Sequence, residues 1–172
     1  MGRATYCLNG HFLDHEPQGE MDDDDDWPAV NAWEEQRLDR KYARLAYCSE
    51  CGAKGVFACA QCGSPIIIRQ LFSDRPSYCS ICGMAFPWTE IALRTAGALA
   101  DESEELSDQD KATLKASLPA LTINTPETQL SIVRFQKLAT KAGPVIGRGL
   151  WEIIKGVAPS IVKDVIEGKM HF

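Results

Sequence analysis

No apolar run in this 172-residue chain approaches the roughly 20 residues that a membrane-spanning helix requires; the strongest, Ile66-Ile67-Ile68 with its neighbours, is far too short. A basic excess is missing too. Lys and Arg number 18 against 24 Asp and Glu, a formal charge of −6, and coating duplex DNA needs a positive surface to release counterions. The opening residues Met1-Gly2-Arg3-Ala4-Thr5-Tyr6-Cys7 hold no apolar stretch of signal-peptide length, and Tyr6 stands where a myristoylation motif requires Ser or Thr. A cytoplasmic, reducing location is the expectation. Histidine is scarce, limited to His11, His15 and His171, and no Ser/His/Asp arrangement or phosphate loop is legible, so no enzyme and no small-molecule substrate are inferred. Cysteine is what the chain does have, seven in all, with 45% apolar residues, enough for a core.

The cysteines fall as Cys7, Cys48-Ser49-Glu50-Cys51-Gly52, Cys59-Ala60-Gln61-Cys62-Gly63 and Cys79-Ser80-Ile81-Cys82-Gly83. Two residues between thiolates let one tight turn aim both sulfurs at a single ion, and in a reducing compartment such pairs read as metal ligands before disulfides. Each pair is half of a tetrahedral site. The odd Cys7 finds its partner in Cys7-Leu8-Asn9-Gly10-His11, where a second ligand type lies four residues on. Seven sulfurs and one imidazole then close two four-coordinate zinc sites and leave no position for substrate. His15 is a substitute for His11 with a longer span, and His171 reads as solvent-exposed.

Four ligand pairs can be grouped in three ways. Only seven residues separate Cys51 from Cys59, a bridge suited to linking neighbouring sites. Cys62 and Cys79 enclose 16 residues with a strand-like run at 66–72 and a turn at Ser73-Asp74-Arg75-Pro76, as in a zinc-ribbon hairpin. The expected sites are therefore Cys59, Cys62, Cys79 and Cys82, and Cys7, His11, Cys48 and Cys51, both ions structural. An interleaved pairing stays open, because spacing alone does not fix connectivity. Tyr6, Tyr47 and Tyr78 each precede the first cysteine of a pair, and their rings are expected to shield the metals. Redox exchange at Cys-x-x-Cys would need a helix N-terminus in a βαβ unit, which nothing nearby suggests.

Charge and composition divide the chain into a cysteine-rich part, 1–90, and a helical part, 91–172. The first holds 8 basic against 14 acidic residues, with an acidic insertion over 16–46 that contains Asp22-Asp23-Asp24-Asp25-Asp26 and then a surface helix at 29–46. In the second, Thr89 is placed to cap a helix through Ile91, Leu93, Ala96 and Leu99. Ser107-Asp108-Gln109-Asp110 has capping-box spacing, and Thr125-Pro126-Glu127 puts Pro at a first helical position. From 144 to 168 an amphipathic tail carries Ile146, Leu150, Ile153, Ile154, Val157, Ile161 and Val165 on one arc, opposite Arg148, Glu152 and Lys155, with Asp164 intruding and a break expected between Gly156 and Pro159.

Together the motif order resembles a bacterial family of uncharacterised double zinc-ribbon proteins. Cys7-Leu8-Asn9-Gly10-His11, the three Cys-x-x-Cys-Gly segments and Phe86-Pro87-Trp88-Thr89-Glu90 carry the resemblance, and Thr125-Pro126-Glu127-Thr128 with Arg134-Phe135-Gln136-Lys137-Leu138 is similar to its helical part. The resemblance implies zinc binding and a bacterial cytoplasmic setting and supplies no catalytic residue. The acidic insertion between His11 and Cys48 departs from its pattern.

The fold class expected is α+β: an N-terminal double zinc ribbon of short β-hairpins joined to an α-helical C-terminal region. A non-catalytic interaction or assembly module is the expected function, with the apolar tail packing on Leu130, Ile132, Val133, Phe135 and Leu138 or on a protein partner or second copy. Two alternatives use other chemistry. The tail stripe with Arg134, Lys137, Lys141, Arg148, Lys155 and Lys163 would suit an anionic membrane surface. Arg69 and Arg75 on the second hairpin would suit nucleic acid, against which the acidic insertion acts.

Overall fold

A computed structural model describes residues 2–17, 46–68 and 75–167. The acidic run, the helix expected at 29–46, the end of the strand-like run at 69–72 and His171 lie outside the described residues. The protein is α+β and divides into two compact units: Met1–Ser73 with Cys79–Met84, and Asp74–Tyr78 with Ala85–Phe172.

In the first unit, β1 (Gly2–Cys7) is the central strand. It turns through Leu8–His11 into antiparallel β2 (Phe12–Pro17), with Ala4 opposite His15, Tyr6 opposite Phe12 and an irregularity between Thr5 and Tyr6. Its other edge takes two short partners, β3 (Gly55–Val56) against Tyr6 and Cys7, and β4 (Ile67–Ile68) against Gly2 and Arg3. The run beginning at Ile66 thus finds its described partner in the N-terminal strand, a pairing that neither its composition nor its place between cysteine pairs announces. Ala4, Tyr6, Ile66 and Ile68 are buried, and the Tyr6 ring meets Phe12 edge-on at 5.7 Å. So few buried apolar side chains make a weak core for a domain of this size.

The second unit contains α1 (Pro87–Asp101), α2 (Asp108–Ser117), a 3-10 turn (Pro119–Thr122), α3 (Thr128–Lys141), α4 (Pro144–Lys155) and α5 (Ser160–Glu167). The first helix begins two residues before Thr89, with Phe86 at its N-cap and Pro87 in its first turn, where a missing amide hydrogen costs nothing. Thr89 is not the cap. It is buried, and its hydroxyl donates to the Ser77 carbonyl at 2.8 Å, while the Trp88 indole donates to the Pro76 carbonyl at 2.8 Å and stacks on Phe86. α3, by contrast, starts later than expected, at Thr128. Thr125 and Pro126 form the turn before it, and Thr128 itself closes that turn by accepting the Thr125 amide and donating to the Ile123 carbonyl.

The capping box at Ser107 forms as read: its hydroxyl accepts the Asp110 amide while the Asp110 carboxylate accepts the Ser107 amide. Lys141, then the Ser107 hydroxyl, hold the Asp110 carboxyl down to about 2, so its bonds persist above the usual carboxylate range and fail only as pH falls through that value. Replacing Ser107 by Ala is expected to lower thermal stability by about 1 kcal/mol, a loss that a melt at neutral pH would read.

The tail breaks at Gly156–Pro159, as its sequence indicates, and beyond the break Val165 packs against the core as expected. Leu150, Ile154, Val157 and Val162 are buried; Asp164 is exposed rather than set in the apolar stripe. Leu150, Ile154 and Val162 enter one core with Leu114, Ile132 and Phe135, to which Leu138 also contributes. Leu130 and Val133, also expected to receive the tail, are exposed. Gly149 lets α4 lie close on α1, since a Cβ there would stand 2.9 Å from Leu99. Among the described residues, no helix is long and apolar enough to cross a membrane.

Candidate metal centres

The three Cys-x-x-Cys segments fold into the same turn. In each, the amide of the first cysteine donates to the carbonyl five residues on (Ala53, Ser64, Met84), and the amide of the glycine donates back to the first cysteine's carbonyl, at 2.8–2.9 Å. Gly63 and Gly83 adopt φ of +70° and +73°, a conformation that costs a side-chain-bearing residue and leaves glycine free. The Cys7 turn is shorter: Cys7 donates to the His11 carbonyl and Gly10 to that of Cys7. It forms the bend between β1 and β2, so the strand pair itself sets the spacing of thiol and imidazole.

These turns bring the eight residues into two groups, Cys7, His11, Cys48 and Cys51, and Cys59, Cys62, Cys79 and Cys82, with the ligand atoms of each within 4.8 Å of one another. The residues are therefore grouped as the spacing suggested, and not interleaved. His15 lies on β2, opposite Ala4. Within the first group Cys7 and Cys51 sulfurs are 3.7 Å apart, and Cys48 Sγ is 3.6 Å from His11 Nδ1. In the second, Cys59 to Cys82 is 3.6 Å and Cys62 to Cys79 is 3.7 Å. All seven thiols are free, and these separations are far beyond the roughly 2.05 Å of a disulfide.

Tetrahedral zinc with sulfur at about 2.3 Å places neighbouring sulfurs about 3.8 Å apart, and sulfur and imidazole nitrogen slightly closer. The observed edges fit that size, and three thiolates with an imidazole, or four thiolates, are the donor sets of structural zinc. Without metal, the sulfurs share protons unequally. The Ala53 amide, with help from Asn9 and the neighbouring sulfurs, lowers Cys51 to about 6, and the Ser64 hydroxyl and amide do the same for Cys62. Cys82 is pushed up to about 12: the Met84 amide lowers it, but desolvation and the three neighbouring sulfurs outweigh that bond. Burial raises Cys7.

Three residues of these centres escaped the sequence. Asn9 Nδ2 donates to Cys51 Sγ at 3.4 Å, Ser64 Oγ lies 3.2 Å from Cys62 Sγ, and a Glu50 carboxylate oxygen stands 3.7 Å from His11 Nδ1. Asn9 and Glu50 were the more legible of them, each a polar side chain between two ligands in the sequence. The tyrosine expectation divides. Tyr6 is buried beside Cys7, but Tyr47 is 70% exposed, and Tyr78 belongs to the helical unit, where its hydroxyl bonds Thr122. What the shared position before cysteine provides is backbone pairing: Tyr47 bridges Lys54 and Tyr78 bridges Ala85, as Ala58 bridges Pro65.

Residues 36–166 match the family described as "Uncharacterized protein conserved in bacteria (DUF2321)", a span that includes six of the eight clustered residues and begins after Cys7 and His11. No curated protein and no solved structure matches the chain.

Proposed function

We propose that the chain, which belongs to the bacterial DUF2321 family, is a two-zinc protein whose ions are architectural and whose work is done by its surface. The observation carrying this is the set of cross-turn separations, 3.6–3.7 Å at both groups, which suits a tetrahedral ion and suits neither a disulfide nor unrelated thiols. Four protein donors per group leave no open coordination position, which supports a non-catalytic role. The weak core of the first unit supports the same reading, because metal binding free energy is folding free energy in such domains.

The partner is a protein on this reading. Exposed apolar side chains support it, Leu130 and Val133 on α3 and Val145 on α4 in the helical unit, Ile81 and Met84 in the last cysteine turn. The membrane alternative needs the tail stripe free, and its central members are used inside the helical core.

The test is elemental analysis of purified protein along a pH series. Two equivalents of zinc are expected at neutral pH, and both should leave as pH falls, because thiolate and imidazole ligands must be deprotonated to bind. A neutral-pH content far from two, or protein whose thiols are bridged to one another, would refute the reading.

A further inference from the structure

Within the two groups the cysteines are unequally exposed. The first cysteine of each pair, Cys48, Cys59 or Cys79, is buried, and the second, Cys51, Cys62 or Cys82, is exposed. In the four-sulfur group each exposed cysteine sets its sulfur against that of a buried cysteine in the opposite turn: Cys82 against Cys59 at 3.6 Å, Cys62 against Cys79 at 3.7 Å. The mixed group has one such pair, Cys51 against Cys7, and its other corner is the His11 imidazole, which a peroxide does not convert to a disulfide.

Hydrogen-bond donors further separate the exposed sulfurs. Cys51 receives the Ala53 amide and the Asn9 side chain, and Cys62 receives the Ser64 amide and has the Ser64 hydroxyl beside its sulfur at 3.2 Å. Among the described residues, Cys82 receives the Met84 amide and no side-chain donor of that kind. Donors stabilise a thiolate and so reduce its nucleophilicity, and with metal bound every cysteine is a thiolate, so protonation no longer ranks them.

We propose, resting on the two-zinc reading, that Cys82 and Cys59 form an oxidation-sensitive pair through which a hydroperoxide opens the four-sulfur site and spares the mixed one. The Cys82 thiolate attacks one peroxide oxygen; an S–O bond forms, the O–O bond breaks, and the departing hydroxide takes a proton from solvent. Cys59 then attacks the Cys82 sulfur, forming S–S as S–O breaks, and the second hydroxide is protonated in turn. Two thiolates thereby give up two electrons in total, and hydrogen peroxide becomes two waters. Closing the pair moves the sulfurs from 3.6 Å to about 2.05 Å, within reach of an exposed turn. Cys62 and Cys79 remain, too few donors to close a four-coordinate site. Thiol reductants reverse the step by exchange.

The experiment uses the full chain with its zinc counted beforehand. Hydrogen peroxide is added in small excess, released zinc is followed with a chromogenic chelator, and disulfides are mapped by peptide mass spectrometry. One equivalent should leave first, with a Cys59–Cys82 disulfide, and the second about tenfold more slowly. N9A, which removes a donor from Cys51 and no ligand, should speed the slow phase about threefold and leave the fast one unchanged. Fewer than two equivalents at the outset would overturn the two-zinc reading and this one with it. Two equivalents lost at one rate, a first disulfide between any other pair, or an N9A slow phase unaltered would overturn this inference alone.

Discussion

Replacing Cys79 by Ser is expected to cut zinc content from two equivalents to one and to unfold the cysteine-rich unit locally. Cys79 is buried, its amide and carbonyl hold the last cysteine turn together, and its sulfur faces Cys62 at 3.7 Å. Serine keeps those backbone bonds and the shape but supplies a hydroxyl that does not ionise near neutrality, leaving three good ligands. Structural zinc contributes on the order of 10 kcal/mol of apparent binding free energy, against roughly 5–15 kcal/mol for the net stability of a whole domain. Losing much of that term is beyond what Ala4, Tyr6, Ile66 and Ile68 offset as the apolar core of this unit. Elemental analysis with a thermal melt reads both effects. Ser80→Ala, in the same turn but outside the ligand set, is the control and should keep two equivalents. Full zinc content and an unchanged melt for C79S would show that these four sulfurs do not share an ion.

The two ligand clusters were legible because their chemistry is local. A Cys-x-x-Cys-Gly segment specifies its own turn, and parity among eight ligands leaves few groupings. What could not be read is what depends on distant partners. Ile67 and Ile68 look like strand residues, but only the fold shows them against Gly2 and Arg3. The Thr89 hydroxyl suits a cap until the Ser77 carbonyl, twelve residues earlier, takes it. Pro126 fits a first helical turn in isolation, yet Thr125 and Thr128 bond across it and delay α3. Val162 was missed for another reason: one helical period continued through Gly156–Pro159 kept Val165, which packs on the core, but passed over Val162 and set the exposed Asp164 in the stripe. Periodicity reads burial only within an unbroken helix.

The tail supplies the second large effect, because its two faces give opposite predictions from the same kind of substitution. Leu150 is 0% exposed in the core with Phe135, Ile132 and Ile154, whereas Val145, five residues earlier on α4, is 82% exposed. Truncating a buried leucine removes transfer free energy and leaves a cavity, so Leu150→Ala should cost about 2–5 kcal/mol, while Val145→Ala should fall within about 0.5 kcal/mol of the parent. For a unit of this size the first loss corresponds to a fall in melting temperature of roughly 10–25 °C. Chemical denaturation of both variants beside the parent, with co-sedimentation on anionic vesicles, separates burial from a free stripe. A packed stripe predicts a large stability loss for L150A and no vesicle binding by the native parent for the substitution to abolish. A lipid-facing stripe predicts the reverse: stability nearly unchanged, and vesicle binding that L150A weakens.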